Sequence, residues 1–123
     1  MANWHVQLVC EDGSVACASC SVADGWVSRA RGLLGRTALA ASEGLLIRHT
    51  RAVHTHFMRF PIDVVFVDRD GVVLRIWRSL RPWRAVSCRR AHAVVELPAG
   101  ACERIGLRVG DRLAEQQAPA DSQ

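Results

Sequence analysis

The chain has 123 residues, of which 50% are hydrophobic and 23% are charged, and its net charge is +4. This length and apolar content predict one ordered domain with its own core, which excludes a disordered or low-complexity protein. All 16 basic residues are arginine, so the positive charge favours acidic partners only weakly, and arginine clusters are weak evidence for a binding site.

The sequence contains no targeting or membrane signal. Its first residues lack a basic stretch followed by an apolar one, and no apolar run approaches the length of a membrane span. The five cysteines are an odd number, which is typical of a reducing compartment and not of a disulfide framework. We therefore expect a cytoplasmic protein.

The amino-terminal section predicts a β-hairpin. Residues 4–10 alternate between apolar and polar side chains, a turn follows, and residues 15–22 return as the second strand. Cys17 and Cys20 lie three positions apart, and in a regular strand such positions face opposite sides of the sheet. We therefore interpret them as buried thiols and not as a redox pair or metal ligands, and we expect neither a metal nor a cofactor.

A helix is predicted next, over residues 26–34, with Asp24 as its N-cap. Its apolar side chains recur at the spacing of one buried stripe. Two arginines in or just after it, Arg31 and Arg36, are candidates for an anion contact at the rim of a ligand site, and a solvated helix surface is the alternative.

Residues 54–71 join the densest apolar run to the densest cluster of reactive side chains. Pro61 removes an amide donor, so it separates two extended segments, 54–58 and 63–68. The second segment is β-branched and aromatic, which predicts a strand buried on both faces. The aspartate–glycine pair that follows predicts a tight turn and a paired strand over 72–78.

Two histidines lie side by side in the first of these segments, because alternate residues of an extended chain point to one face. The leading hypothesis is a non-enzymatic module that binds a small molecule or a protein. Its ligand-binding residues are His54, His56, Met58, Arg59 and Asp63, with Arg31 and Arg36 at the rim.

An alternative is a hydrolytic or metal-dependent enzyme, in which His54 or His56 acts as general base beside Asp63. This hypothesis requires the imidazole and the carboxylate to lie within hydrogen-bond reach. The sequence has no nucleophile elbow, phosphate loop or dinucleotide fingerprint, so we name no catalytic residue. Asp63 could equally cap the strand beside Pro61.

Arginines recur at every third position from 75 to 84, with two tryptophans between them. Such a series suits a chain that follows a phosphate backbone while bases stack on the rings. Pro82 argues against a helix and allows local polyproline geometry, which would align three of the arginines. The second alternative is therefore a nucleic acid or acidic partner, bound through Arg75, Arg78, Arg81, Arg84, Trp77 and Trp83.

The carboxy-terminal section predicts a strand over residues 91–97 and a short helix near 99–105. Gly106 fits the left-handed cap of that helix. From Ala114 the chain is polar and contains proline, so we expect a disordered tail over 114–123 and one globular domain over 1–113.

Together the elements predict a mainly β fold of the α+β class. It is a compact antiparallel barrel or sandwich of about seven or eight strands, with one helix near 26–34 and a shorter one near 99–105.

Several short motifs occur in a fixed order between residues 23 and 113. They are R-A-R-G-L-L-G-R, G-L-L, F-M, P-I-D-V-V-F-V-D, V-E-L-P-A-G and G-L-R-V-G-D, at residues 29–36, 44–46, 57–58, 61–68, 95–100 and 106–111. In this combination the chain resembles domain of unknown function 192, a prokaryotic family without an established activity. The resemblance implies a fold rather than a reaction. One departure is residues 56–60, where many members carry Trp-Met-Lys-Asn, so no role of that side-chain amide is carried over.

Overall fold

The computed structural model describes residues 5–24, 39–56 and 58–117. These residues form nine strands and one short helix. In chain order they are β1 (His5–Cys10), β2 (Val15–Asp24), β3 (Glu43–Arg48), β4 (Ala52–His54), β5 (Ile62–Val67), β6 (Val73–Leu80), β7 (Ala85–Ser87), β8 (Ala93–Pro98), α1 (Ala101–Ile105) and β9 (Leu113–Gln117). The predicted mainly β fold is confirmed, and the helix expected over residues 26–34 lies outside the described residues.

Seven of the strands form one mixed sheet in the order β6-β5-β8-β3-β2-β1-β9, and β4 and β7 pair separately as a short ribbon. Neighbouring strands are antiparallel except β2 and β3, which are parallel. Parallel neighbours need a connection of about a dozen residues or more, and the chain has room for it because β2 ends at Asp24 and β3 begins at Glu43. At this pair the sheet differs from the antiparallel arrangement that the sequence predicts.

The two edges of the sheet approach each other at one end. Val72 and Arg112 form an isolated antiparallel bridge, and the amide of Leu113 donates to the carbonyl of Gly71 over 2.8 Å. In the described part of the chain this contact does not extend into a ladder between β6 and β9. The sheet is therefore curved without closing into a barrel, and the predicted sandwich-like β fold is confirmed.

Apolar side chains cover both faces of the sheet. β5 is buried along its whole length. Val65 and Val67 belong to the core cluster on one face, while Ile62, Val64 and Phe66 belong to the cluster on the other. The predicted strand buried on both faces is therefore confirmed, and β3 and β8 contribute to both clusters in the same way.

Two boundaries differ from the prediction. The strand that carries His54 ends at that residue, and the chain turns at His56. β9 continues to Gln117, whereas the sequence predicts a disordered tail from Ala114. The difference arises because main-chain pairing with β1 does not require apolar side chains. Residues 118–123 lie outside the described residues. Of the helical residues described, none belongs to a helix with the length and apolarity that a membrane crossing requires.

Gly71 allows the close approach of the two sheet edges. Its φ is +84°, and a Cβ at this position would overlap the carbonyl oxygen of Leu113, whereas Gly13 has a similar φ of +90° in open space. Gly71→Ala adds that overlap to the left-handed penalty of about 1–2 kcal/mol. We expect it to lower the free energy of unfolding in urea by about 3 kcal/mol or more. The matched control Gly13→Ala carries the left-handed penalty alone, about 1–2 kcal/mol, and equal losses would contradict the close approach.

Candidate binding surface

Three aromatic rings form a stack beside the β4–β7 ribbon. The ring centroids of His54 and His56 lie 4.9 Å apart with 30° between the planes. The His56 ring in turn lies 5.3 Å from the Trp83 indole at 32°, and Trp83 is 57% exposed. Strand alternation predicts that the two imidazoles lie side by side. The sequence assigns the tryptophan to a different candidate site, the arginine series of residues 75–84. We call these three residues the aromatic stack.

Thr55 positions the loop that carries Trp83. Its side chain is fully buried, and its Oγ1 donates to the carbonyl of Arg81 (2.6 Å) and accepts from the amide of Arg84 (2.9 Å). Its main-chain carbonyl accepts from the amide of Trp83 (3.1 Å), and its own amide donates to the carbonyl of Arg84 (2.8 Å). One threonine thus fixes residues 81–84 against the histidines. Strand alternation predicts only that the Thr55 side chain faces away from the two histidines, and the sequence predicts no role for its hydroxyl.

Trp83 has a left-handed backbone, with a φ of +63°. A proline followed by a residue of positive φ is typical of a type II turn, in which glycine or asparagine normally occupies the place of Trp83. Such strain costs about 1–3 kcal/mol and persists where the surroundings over-determine it. The polyproline geometry predicted from Pro82 is therefore wrong, because the positive φ reverses the chain.

The arginine series divides into two parts. On β6 the guanidinium carbon of Arg75 lies 4.6 Å from the centroid of the Trp77 ring, and that ring packs against the core, so it is not an open stacking platform. Arg78 donates to a main-chain carbonyl after α1 over 3.3 Å. Arg81 and Arg84 lie in the following loop, exposed on either side of the stacked tryptophan.

The remaining members of the predicted ligand surface are divided between surface and interior. Arg59 is exposed just after the histidine segment. Met58 is buried in a core cluster with the apolar side chains of β3 and β5. Arg31 and Arg36 lie outside the described residues.

Asp63 is fully buried on β5. Its Oδ1 accepts from the amides of Ser79 (2.8 Å) and Gly100 (3.2 Å), and its Oδ2 accepts from the amide of Cys102 (2.9 Å). Ser79 lies at a register shift of β6 with a φ of +51°, and the other two amides begin α1. A bulge leaves a main-chain amide outside the strand ladder, and the start of a helix leaves its first amides without a partner in the helix. The three amides bound by Asp63 are of these two kinds. None of the three donors is a histidine, so the carboxylate links β6 and α1 to β5.

The thiols of Cys17 and Cys20 both face one core cluster. Val6 pairs with Cys20 and Leu8 with Cys17, so Gln7 opposes two residues of β2. Such a bulge reverses the alternation, and the prediction that the two thiols face opposite sides is therefore wrong. The hydrogen bond between them lowers the pKa of Cys17 and raises the pKa of Cys20. Across residues 5–24, 39–56 and 58–117 no group of three or more His, Cys, Asp or Glu side chains could hold a metal ion.

A cavity of about 360 Å³ opens at the end of the sheet where its two edges approach each other. Its floor is apolar and includes Leu46 and Val95. Its rim includes an ion pair between Arg48 and Glu115 at 2.5 Å. In all, three arginines face three carboxylates there: Arg48, Arg69, Arg112, Asp68, Asp70 and Glu115. Because these charges balance, the rim gives no preference for an anionic or a cationic ligand.

Comparison with known proteins identifies relatives along most of the chain. The model of the DUF192 family, described as an uncharacterized ACR, matches residues 7–114. A UPF0127 protein from Pyrococcus furiosus is 38% identical over 95 residues, which cover 74% of this chain and 81% of the relative. A UPF0127 protein from Pyrococcus horikoshii is 33% identical over 96 residues, which cover 75% and 83%.

Two crystal structures are similar to this chain. One is a protein from Sinorhizobium meliloti, described as a proposed transcription regulator, with a TM-score of 0.79, 28% identity and coverage of 93% of this chain and 94% of that one. The other is a protein of unknown function from Novosphingobium aromaticivorans, with a TM-score of 0.77, 23% identity and coverage of 91% and 84%. The second likeness concerns the fold alone.

Asp63→Ala should destabilise the protein, because three buried amides lose their acceptor. Hydrogen bonds to a charged group contribute about 1.5–3 kcal/mol each, so we expect the free energy of unfolding to fall by about 3 kcal/mol or more. Asp63→Asn keeps one acceptor oxygen and should lose less. Urea denaturation measures both, with the exposed Asp70→Ala as a control that should change by about 0.5 kcal/mol at most. A loss at Asp63 no larger than at Asp70 would refute the bracing role.

Thr55→Val should release the loop that carries Trp83 while preserving side-chain volume. The hydroxyl is lost, so the Arg84 amide and the Arg81 carbonyl lose a partner. We expect the ring-current shifts of the His56 imidazole protons, which the stacked indole produces, to shrink toward random-coil values in the NMR spectrum. Thr50→Val, which removes a hydroxyl bonded to the carbonyl of Arg48, should leave them unchanged. Unaltered His56 shifts in Thr55→Val would mean that other contacts hold the loop.

Proposed function

The chain belongs to the DUF192 family, and on that premise we propose that it is a non-enzymatic binding module that recognises a flat, unsaturated ring on the aromatic stack. The observation that carries this proposal is the exposed indole of Trp83, 57% accessible and stacked on His56. A large ring at the edge of such a stack offers a π face to a ligand, and stacked pairs contribute about 0.5–1.5 kcal/mol beyond the area they bury.

The construction of the site supports a recognition role. Trp83 occupies a backbone conformation that favours glycine, and buried Thr55 holds it there with side-chain and main-chain hydrogen bonds. Backbone strain that is kept in spite of its free-energy cost is typical of ligand-binding sites. Three exposed arginines adjoin the rings in sequence, Arg59, Arg81 and Arg84, and they favour a ligand that also carries negative charge.

The environment of Asp63 supports binding over catalysis. A histidine general base is oriented by a third group bonded to its second nitrogen, and the enzyme hypothesis assigns that role to Asp63. Both oxygens of Asp63 are instead engaged by main-chain amides, which favours a structural role for the aspartate. The Sinorhizobium meliloti relative, described as a proposed transcription regulator, agrees with a ligand that contains bases.

All five cysteines are free thiols, which supports a reducing compartment for this chain.

Removing the rings should abolish recognition without unfolding the protein. Trp83→Gly exchanges a strained residue for one that tolerates positive φ, so the free energy of unfolding should change by about 1 kcal/mol at most. His56→Ala should likewise change it by about 1 kcal/mol at most. With adenosine and uridine as probes, both variants should lose the ligand-induced shifts of the His54 ring protons in NMR titrations. His5→Ala, an exposed histidine on β1, is the matched control and should behave as wild type.

Two outcomes would count against the proposal. A large loss of stability in His56→Ala would mark that imidazole as structural. Titration of wild-type protein without any change at His54, His56 or Trp83 would remove the stack as a ligand site.

A further inference from the structure

A second charged feature lies at the far end of the β4–β7 ribbon. A cleft of about 300 Å³ is lined by four arginines and two aspartates: Arg51, Arg69, Arg89, Arg90, Asp68 and Asp70. We call it the arginine cleft. Cations outnumber carboxylates two to one in this cleft, which favours an anion. The cleft shares Arg69, Asp68 and Asp70 with the cavity at the sheet end, and the excess of positive charge comes from Arg51, Arg89 and Arg90.

Among residues 5–24, 39–56 and 58–117, the positive charge of the cleft is only half balanced, by its two aspartates. None of the four arginine side chains forms an ion pair or hydrogen bond with another residue in the described ranges. One of the two carboxylates is already engaged, because Oδ1 of Asp68 accepts from the amides of Asp70 (2.8 Å) and Val72 (3.0 Å) and thereby closes the turn after β5. Arginine side chains without a protein partner are well suited to phosphate oxygens.

The ribbon connects the arginine cleft to the aromatic stack. Val53 is buried beneath it, and a groove of about 280 Å³ runs along residues 52–54 and 85–87. His54 lies at one end of the groove, paired with Ala85. At the other end the amide of Cys88 donates to the carbonyl of Arg51 over 2.9 Å, which brings Arg51 next to the segment that carries Arg89.

The length of the ribbon sets the size of a ligand that could reach both features. The two features are separated by a strand of three residues, or about 10 Å at 3.3 Å per residue. This distance equals about three stacked bases at 3.4 Å each. Rings at one end and arginines at the other therefore match a polymer that repeats flat rings and negative charges at short intervals.

We propose that the chain binds short single-stranded nucleic acid along the β4–β7 ribbon, with bases on the aromatic stack and phosphates in the arginine cleft; this inference rests on the proposed function of the stack. A single strand fits because its base faces are open, whereas a duplex hides them between neighbouring pairs. Stacking does not read base edges, so the binding has little sequence preference.

The test is fluorescence polarisation of a labelled twelve-nucleotide oligothymidine titrated with the full chain. The titration is repeated at several salt concentrations from about 50 to about 200 mM, the range over which phosphate contacts weaken. Trp83→Ala should weaken binding by roughly 5- to 150-fold, which corresponds to about 1–3 kcal/mol for one stacked base. Arg89→Ala with Arg90→Ala should flatten the plot of log affinity against log salt by about 1.4, or about 0.7 for each phosphate contact.

Matched controls separate specific contacts from general charge. Arg104→Ala with Arg108→Ala removes the same charge from exposed positions that line neither the groove nor the cleft, and it should leave the salt slope nearly unchanged. A duplex of the same sequence should bind more weakly than the single strand. Inorganic polyphosphate should compete, but its affinity should not depend on Trp83.

The outcomes distinguish this inference from the proposed function. If nucleosides perturb the aromatic stack while the oligonucleotide binds no tighter than a nucleoside, the ribbon inference fails and the ring site stands. If neither probe perturbs the stack, both fail. If the oligonucleotide binds but Trp83→Ala is silent and both double arginine variants weaken it equally, the interaction is general electrostatics and the inference is overturned. The same holds if polyglutamate binds as tightly as the oligonucleotide.

Discussion

The fold depends on one buried carboxylate. Removing a charged aspartate from water costs several kcal/mol, and Asp63 is the second residue of β5, a strand buried along its whole length. Three main-chain amides offset this cost, those of Ser79, Gly100 and Cys102. The thiol beside it responds to the same environment, because burial, together with the nearby Asp63 carboxylate, raises the pKa of Cys102 to about 12. A single side chain thus fixes the end of β6 and the start of α1 relative to β5.

The position of the candidate binding surface is a consequence of that anchoring. β6 ends at Leu80, shortly after the braced Ser79, and the next residues form the loop that presents Trp83. Thr55 then joins this loop to the histidine segment by hydrogen bonds of side chain and main chain. Two buried polar side chains, neither of which contacts solvent, therefore determine where the exposed rings lie. A surface assembled in this way is pre-organised, which reduces the entropy that a ligand must overcome on binding.

Irregularities in the sheet explain why several residues have unexpected neighbours. The bulge in β2 reverses the alternation and brings Cys17 and Cys20 into one cluster. The register shift in β6 leaves the amide of Ser79 outside the ladder, where Asp63 accepts it. Sequence alternation assumes a regular strand, so it assigns the wrong face to residues beyond a bulge. Neither bulge contains the glycine or proline that would have indicated it.

The sequence by itself determined the elements whose cause is local. The β-branched run of β5, the aspartate–glycine turn after it, the glycine cap of α1 and the ordered family motifs are all legible in neighbouring residues, and the adjacent position of the two imidazoles follows from alternation. Only the tertiary structure decided that Trp83 completes the histidine stack, that Arg51 joins Arg89 in one cleft, and that the Asp63 carboxylate accepts from three main-chain amides. Each of these contacts joins segments that are distant in the chain, through pairing registers and hydrogen bonds that no local pattern encodes.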